Sequence, residues 1–94
     1  MHTVKRTKDF EASMDRLEES GMLTAGLLAK LERIITVLAN GEKLPYGARD
    51  HALKGVLSEF RECHIRDDMM LMYKVEKGNM VLILANIGGH SYLF

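Results

Sequence analysis

Cysteine and proline are almost absent from this 94-residue chain, which holds one of each. A lone Cys63 has no internal partner, so a disulfide-stapled scaffold is excluded and a reducing compartment is expected. Its neighbourhood alternates like a strand, which fits a buried thiol. Net charge is absent as well. Lys plus Arg number 13 and Asp plus Glu number 13, split eight and eight over residues 1–50 and five and five over 51–94. A protein that holds RNA by general electrostatics is basic, because phosphate contacts come from Lys and Arg. Any contact of this chain with RNA must therefore use a local patch or a larger partner. Long apolar runs are missing too: none spans a bilayer, and Met1–Phe10 carries Lys5, Arg6, Lys8 and Asp9 where a secretory signal would be apolar. These absences point to the cytoplasm.

What is present is a soluble globular balance, 47% hydrophobic and 28% charged, in a length that makes one domain over residues 1–94. Residues 3–6 read as a short strand ended by Thr7, a good N-cap. Phe10, Met14 and Leu17 then recur at steps of four and three, a helical stripe stopped by Ser20-Gly21. A second helix carries Leu27, Leu31, Ile34, Ile35 and Leu38 on one face and ends at Asn40-Gly41. The short turn between them predicts an antiparallel helical hairpin. Glu42 to Asp50, with Pro45 and Gly47, reads as an exposed loop.

After His51 the period changes to two. In Phe60–Ile65, Cys63 and Ile65 fall on one face, Glu62 and His64 on the other. Met69–Val75 and Met80–Ala85 are more continuously apolar, as strands covered on both sides are. Glu76-Lys77-Gly78-Asn79 makes them an antiparallel hairpin. Gly88-Gly89 breaks the last strand, and Ser91–Phe94 reads as a short final one. The methionines of the hairpin, Met69, Met70, Met72 and Met80, are expected to serve the core. The fold class is α+β, with an N-terminal helical hairpin packed on an antiparallel sheet.

Imidazole titrates near neutrality and transfers protons readily, which singles out His51, His64 and His90. His64 shares its strand face with Glu62, and Asp67 and Asp68 follow just beyond. His90 follows two glycines, where backbone approaches closely. A zinc site is the competing reading, but there is no HxxxH helix pair and no cysteine pair, so no metal or other cofactor is expected. No serine sits in a nucleophile elbow. RNA cleavage fits better: a base takes the 2′-hydroxyl proton, the oxygen attacks the adjacent phosphate, and an acid protonates the departing 5′-oxygen. Histidine and aspartate suit the proton transfers, and Lys54, Arg61 and Arg66 are cation candidates.

The segments Asp50-His51-Ala52-Leu53-Lys54-Gly55, Arg61-Glu62-Cys63-His64-Ile65 and Gly88-Gly89-His90-Ser91-Tyr92-Leu93-Phe94 resemble the DHxLKG, RxxHI and C-terminal GxHxxLF signatures of YafQ-type toxins in the RelE superfamily. The resemblance implies a microbial RNase-like fold and a toxin of a type II toxin–antitoxin pair. Such a toxin enters the ribosomal A site, cuts mRNA there and is inhibited by a cognate RelB- or DinJ-like antitoxin. Ribosome dependence would account for the neutral charge. The implied active-site residues are His51, His64, Asp68, His90 and Phe94. His90 would be the general acid and Asp68, or alternatively His64, the general base. His51 and His64 would orient phosphate and ribose, and Phe94 would stack on a base. The antitoxin is expected to cover the face bearing Glu62 and His64.

One departure matters. Where that family carries an arginine before the glycine motif, this chain has Asn86, and Arg61 is the first substitute to consider. Losing a group that stabilises developing charge costs on the order of a hundred- to a thousand-fold in rate. Two alternatives therefore stand beside the nuclease: a noncatalytic toxin of the ParE type that poisons gyrase, and an attenuated relative that only binds its antitoxin.

Overall fold

The computed structural model describes residues 1–89. Strand β1 (Thr3–Arg6) leads into helix α1 (Lys8–Glu19) and helix α2 (Ala25–Ala39); a two-residue strand β2 (His51–Ala52) and strands β3 (Arg61–Arg66), β4 (Met69–Glu76) and β5 (Val81–Gly88) follow. The expected final strand at Ser91–Phe94 lies outside the described residues.

Both helices start and stop where their caps dictate. The Phe10 amide donates to Thr7 Oγ1 at 3.0 Å and the Leu27 amide to Thr24 Oγ1 at 3.2 Å, each satisfying one of the unpaired N–H groups of a first turn. Gly21 and Gly41, just beyond the ends, have φ of 78° and 74°, a left-handed conformation in which a side chain would be strained. Thr7 also fastens the end of β1 to β5. Its hydroxyl donates to the Ala85 carbonyl at 2.7 Å, and its amide to the Leu84 carbonyl at 3.1 Å.

The sheet order is β1-β5-β4-β3-β2. It is antiparallel from β2 to β5, as expected, and β1 joins β5 in parallel, so the complete sheet is mixed. One face is packed under the helices. Phe10, Leu17, Leu27, Leu31, Ile34 and Leu38 meet Cys63, Ile65, Leu71, Tyr73, Leu82, Leu84 and Ile87 there. Of the hairpin methionines, Met69 and Met70 are buried and Met72 half-buried. Met80 is exposed in the turn with φ of 54°, and β5 begins only at Val81.

The Cys63 thiol is fully buried, and burial, reinforced by the Asp50 and Glu62 charges, pushes it up to about 12 from 9.0. A group raised in the folded state favours folding below its unfolded value and loses that contribution as pH climbs towards the folded one. The loss is about 1.4 kcal/mol per pH unit, starting near pH 9. Urea unfolding at pH 8 and pH 10 should thus show wild type losing on the order of 1 kcal/mol more than Cys63→Ala. Equal losses would mean that the thiol is not sealed from solvent.

Candidate active site

Strand register gathers the singled-out side chains into two cross-strand rows. His51 pairs with Glu62, Glu62 with Met72 and Met72 with Asn86; one step along, His64 pairs with Met70 and Met70 with Gly88. Because side chains alternate, Glu62 and His64 share the face opposite Cys63 and Ile65, whose side chains sit in the helix-covered core. Neighbouring strands lie roughly 4.8 Å apart, so each row crosses the sheet at that spacing.

His51 is half-exposed and held from two sides. Its Nδ1 lies 2.6 Å from the Arg49 carbonyl. A carbonyl only accepts, so Nδ1 carries the hydrogen, and Nε2 is left facing Glu62 Oε1 at 3.5 Å. Arg49 itself adopts φ of 49°, the left-handed conformation that turns its carbonyl to the ring. Glu62 is only 3% exposed, and its Oε2 has no hydrogen-bond partner among the described residues; neither has the buried Nδ1 of His64. Beyond Glu62, β3 has outrun β2, and His64 there borders a cavity of about 450 Å³ formed with α2 and the Leu44–Ala48 loop.

Asp67 and Asp68 form the two-residue connection between β3 and β4, and both are exposed. Opposite them runs the glycine motif. A Cβ added to Gly89 would stand 3.2 Å from the Asp68 carbonyl oxygen, tighter than ordinary van der Waals contact. The second glycine thus lets the chain pass directly against Asp68. His90 and Phe94 themselves lie outside the described residues.

The cations are distributed otherwise than expected. Lys54 is exposed just after β2. Arg61 alternates with Cys63 onto the helix-covered side, where its Nε donates to Asp50 at 3.3 Å, so it does not take the place left neutral by Asn86. Asp50 also accepts from the Tyr73 hydroxyl at 2.5 Å. Burial and then Asp50 raise Tyr73 well above its ordinary value. Burial opposes the Arg61 charge, but the bonds to Asp50 and Tyr73 outweigh it and raise Arg61. Arg66 is carried away by a register shift between His64 and Arg66, and its guanidinium donates to Thr24 Oγ1 at 3.3 Å. An open cleft of about 1050 Å³ begins at His51 and runs under the loop past Tyr46, Arg49 and Tyr73. Of the motif histidines among the described residues it holds only His51. The opposite face, with Glu62, His64 and the Asp68 turn, is the better candidate for proton-transfer chemistry.

Three contributions have no assignment in the sequence pattern. Glu62 is visible as a face-mate of His64 and Asp50 as a neighbour of His51, but nothing local marks either as a buried partner. Ser13 and Arg16 on α1 carry no motif at all, yet they reach the Asn86 end of the first row. Among the described residues no group of three or more His, Cys, Asp or Glu is arranged to hold a metal ion, and no helix is long and apolar enough to cross a membrane.

Comparison with known proteins agrees with this fold. The mRNA interferase toxin YafQ of Escherichia coli is 33% identical over 66 residues, 69% of this chain and 70% of that protein. A metal-bound toxin from Helicobacter pylori superposes with a TM-score of 0.88 at 35% identity, covering 100% of both chains. YafQ from the E. coli DinJ–YafQ complex superposes with a TM-score of 0.84 at 23% identity, covering 100% of this chain and 99% of that one, a likeness of fold. The family described as the bacterial toxin of type II toxin–antitoxin systems, YafQ, matches residues 2–94. The chain belongs to the YafQ family of bacterial toxins.

Proposed function

We propose that this chain is the toxin of a type II pair and acts in the cytoplasm as a ribosome-dependent mRNA endoribonuclease, its 94 residues working as one domain. The observation that supports the reading is the close passage of Gly89, the residue before His90 in sequence, against Asp68. Asp68 takes the proton of a 2′-hydroxyl, with His64 as the alternative base. The freed oxygen bonds to the adjacent phosphorus, the bond to the 5′-oxygen breaks, and His90 supplies the proton that the leaving oxygen needs. The products are a 2′,3′-cyclic phosphate and a 5′-hydroxyl. His51 and His64 orient phosphate and ribose, Lys54 contacts the backbone and Phe94 stacks on a base. With zero net charge the protein has little general attraction for RNA, and the ribosome presents the strand instead. Its inhibitor is an antitoxin like the DinJ that accompanies YafQ in the E. coli complex.

Primer extension on transcripts from cells expressing the chain tests this. The expected result is a set of mRNA ends in phase with codons that disappears in His90→Ala. Growth arrest without new ends would favour the gyrase-poisoning alternative, and neither arrest nor ends would leave a protein that only binds its antitoxin.

A further inference from the structure

We infer that the cleft running from His51 under the loop of residues 44–50 holds the single-stranded mRNA that follows the cut, with Tyr46 stacking on one of its bases. This second RNA site rests on the endoribonuclease reading above. A neutral protein needs a local patch to hold RNA, and the cleft supplies one. Its lining includes Lys43, Arg49 and Lys77, all exposed, and none of these three side chains has a hydrogen-bond or ion-pair partner among the described residues. Arg61 and Asp50, also in the lining, pair with each other. Glu42 is left as the one opposing carboxylate among the lining residues.

Tyr46 is 99% exposed, a ring left wholly in water. The loop that carries it is nonetheless fixed. Leu44 and Ala48 pack against the core, Arg49 turns at φ of 49° to set its carbonyl on His51, and Asp50 accepts from Tyr73 and Arg61. A ring held in place beforehand loses little freedom on binding, and aromatic stacking holds unpaired bases without reading their sequence. Continuity indicates the occupant. His51 sits on the edge strand β2 with its Nε2 towards Glu62, and the same residue opens the cleft. A strand bound along the first row therefore crosses the β2 edge directly into it. On the ribosome the mRNA before the A-site codon is paired with tRNA, so the free strand is the one that follows. At about 1050 Å³ the cleft exceeds the roughly 300–1,000 Å³ of a drug-sized ligand site and takes more than one nucleotide. A plain reading also exists: lone exposed aromatics are common, and the cleft is then only a gap under the loop. That predicts no effect of Tyr46 on cleavage.

The test is single-turnover cleavage on programmed ribosomes at increasing toxin concentration, with one mRNA ending at the A-site codon and another extending beyond it. On the extended mRNA, Tyr46→Ala should raise the half-saturating concentration on the order of 10-fold, with the effect absent from the saturated rate. Tyr46→Phe, which keeps the ring, should match wild type. Lys43→Gln with Lys77→Gln should weaken binding and flatten its log–log salt dependence by about 1.4. On the short mRNA, wild type and Tyr46→Ala should coincide. An unchanged half-saturating concentration in Tyr46→Ala would overturn the inference and leave the endoribonuclease reading intact. So would an equal rise on both mRNAs, which would put ribosomal RNA against Tyr46, or a loss confined to antitoxin binding. If wild type cuts neither mRNA, the endoribonuclease reading fails, and anisotropy of a labelled oligouridylate at low salt decides the cleft. Binding weaker on the order of 10-fold in Tyr46→Ala would support it, and equal binding would overturn it.

Discussion

Asp68→Asn and His90→Ala should each lower the rate of A-site mRNA cleavage by roughly 10²- to 10⁴-fold, the range that a positioned general acid or base contributes. Asp67→Asn should remain near wild type. The two aspartates are adjacent, exposed and chemically identical, so composition does not separate them. Position does, because the Asp68 carbonyl is the atom that Gly89 approaches. The reading that pairs Asp68 as base with His90 as acid draws on that contact at Gly89. Gly89→Val extends the argument to the backbone. Its branched side chain cannot share the 3.2 Å space with a carbonyl, and a displacement of about 1 Å at a reacting group costs on the order of 100-fold. If Asp67→Asn were the crippled variant and Asp68→Asn the active one, the base would be wrongly assigned. If His64→Ala alone abolished cleavage, histidine would take that role. Single-turnover rates on ribosomes carrying an A-site codon decide among these outcomes, with urea unfolding to show that each variant is folded.

Much of this architecture is legible in the sequence because its signals are local. Thr7 caps a helix whose first turn follows within three residues, and Gly21 and Gly41 end the two helices. The alternation through Cys63 and Ile65 places Glu62 and His64 on the opposite face, and it also turns Arg61 towards the core. Arg61 as a phosphate ligand conflicts with that same alternation. What stays hidden is non-local. The parallel pairing of Thr3–Arg6 with Val81–Leu84 joins the two ends of the chain, and no window of residues contains both. The shift between His64 and Arg66 changes the parity of one strand, so a residue expected to share the His64 face reaches Thr24 instead. The Ser13–Asn86 bond crosses 73 positions. Family resemblance supplies the motif residues but not these couplings, which exist only once the register is set.

Glu62→Met should make the protein more stable and a poorer nuclease. Folding gains little from a carboxyl group at this position. It is 3% exposed, one oxygen has no partner among the described residues, and the other has only a 3.5 Å contact with a half-exposed imidazole. Taking a carboxylate out of water costs several kcal/mol, and replacing a buried ionic group by an apolar one of similar volume is often neutral or stabilising by about 1–4 kcal/mol. Methionine is flexible enough to fill the space, beside Met70 and Met72 in the same sheet. A gain of about 1–3 kcal/mol in urea unfolding is therefore expected. Cleavage should fall on the order of 100-fold, because His51 loses the Glu62 side chain beside its Nε2 and keeps only the Arg49 carbonyl to orient it. Glu62→Gln, which retains an oxygen for that contact, should lose less activity. Destabilisation in both variants would instead make Glu62 part of what holds β2 to β3. Higher stability with lower activity would mark it as a group kept for the reaction at a cost to the fold, as expected of a carboxylate that positions an active-site histidine.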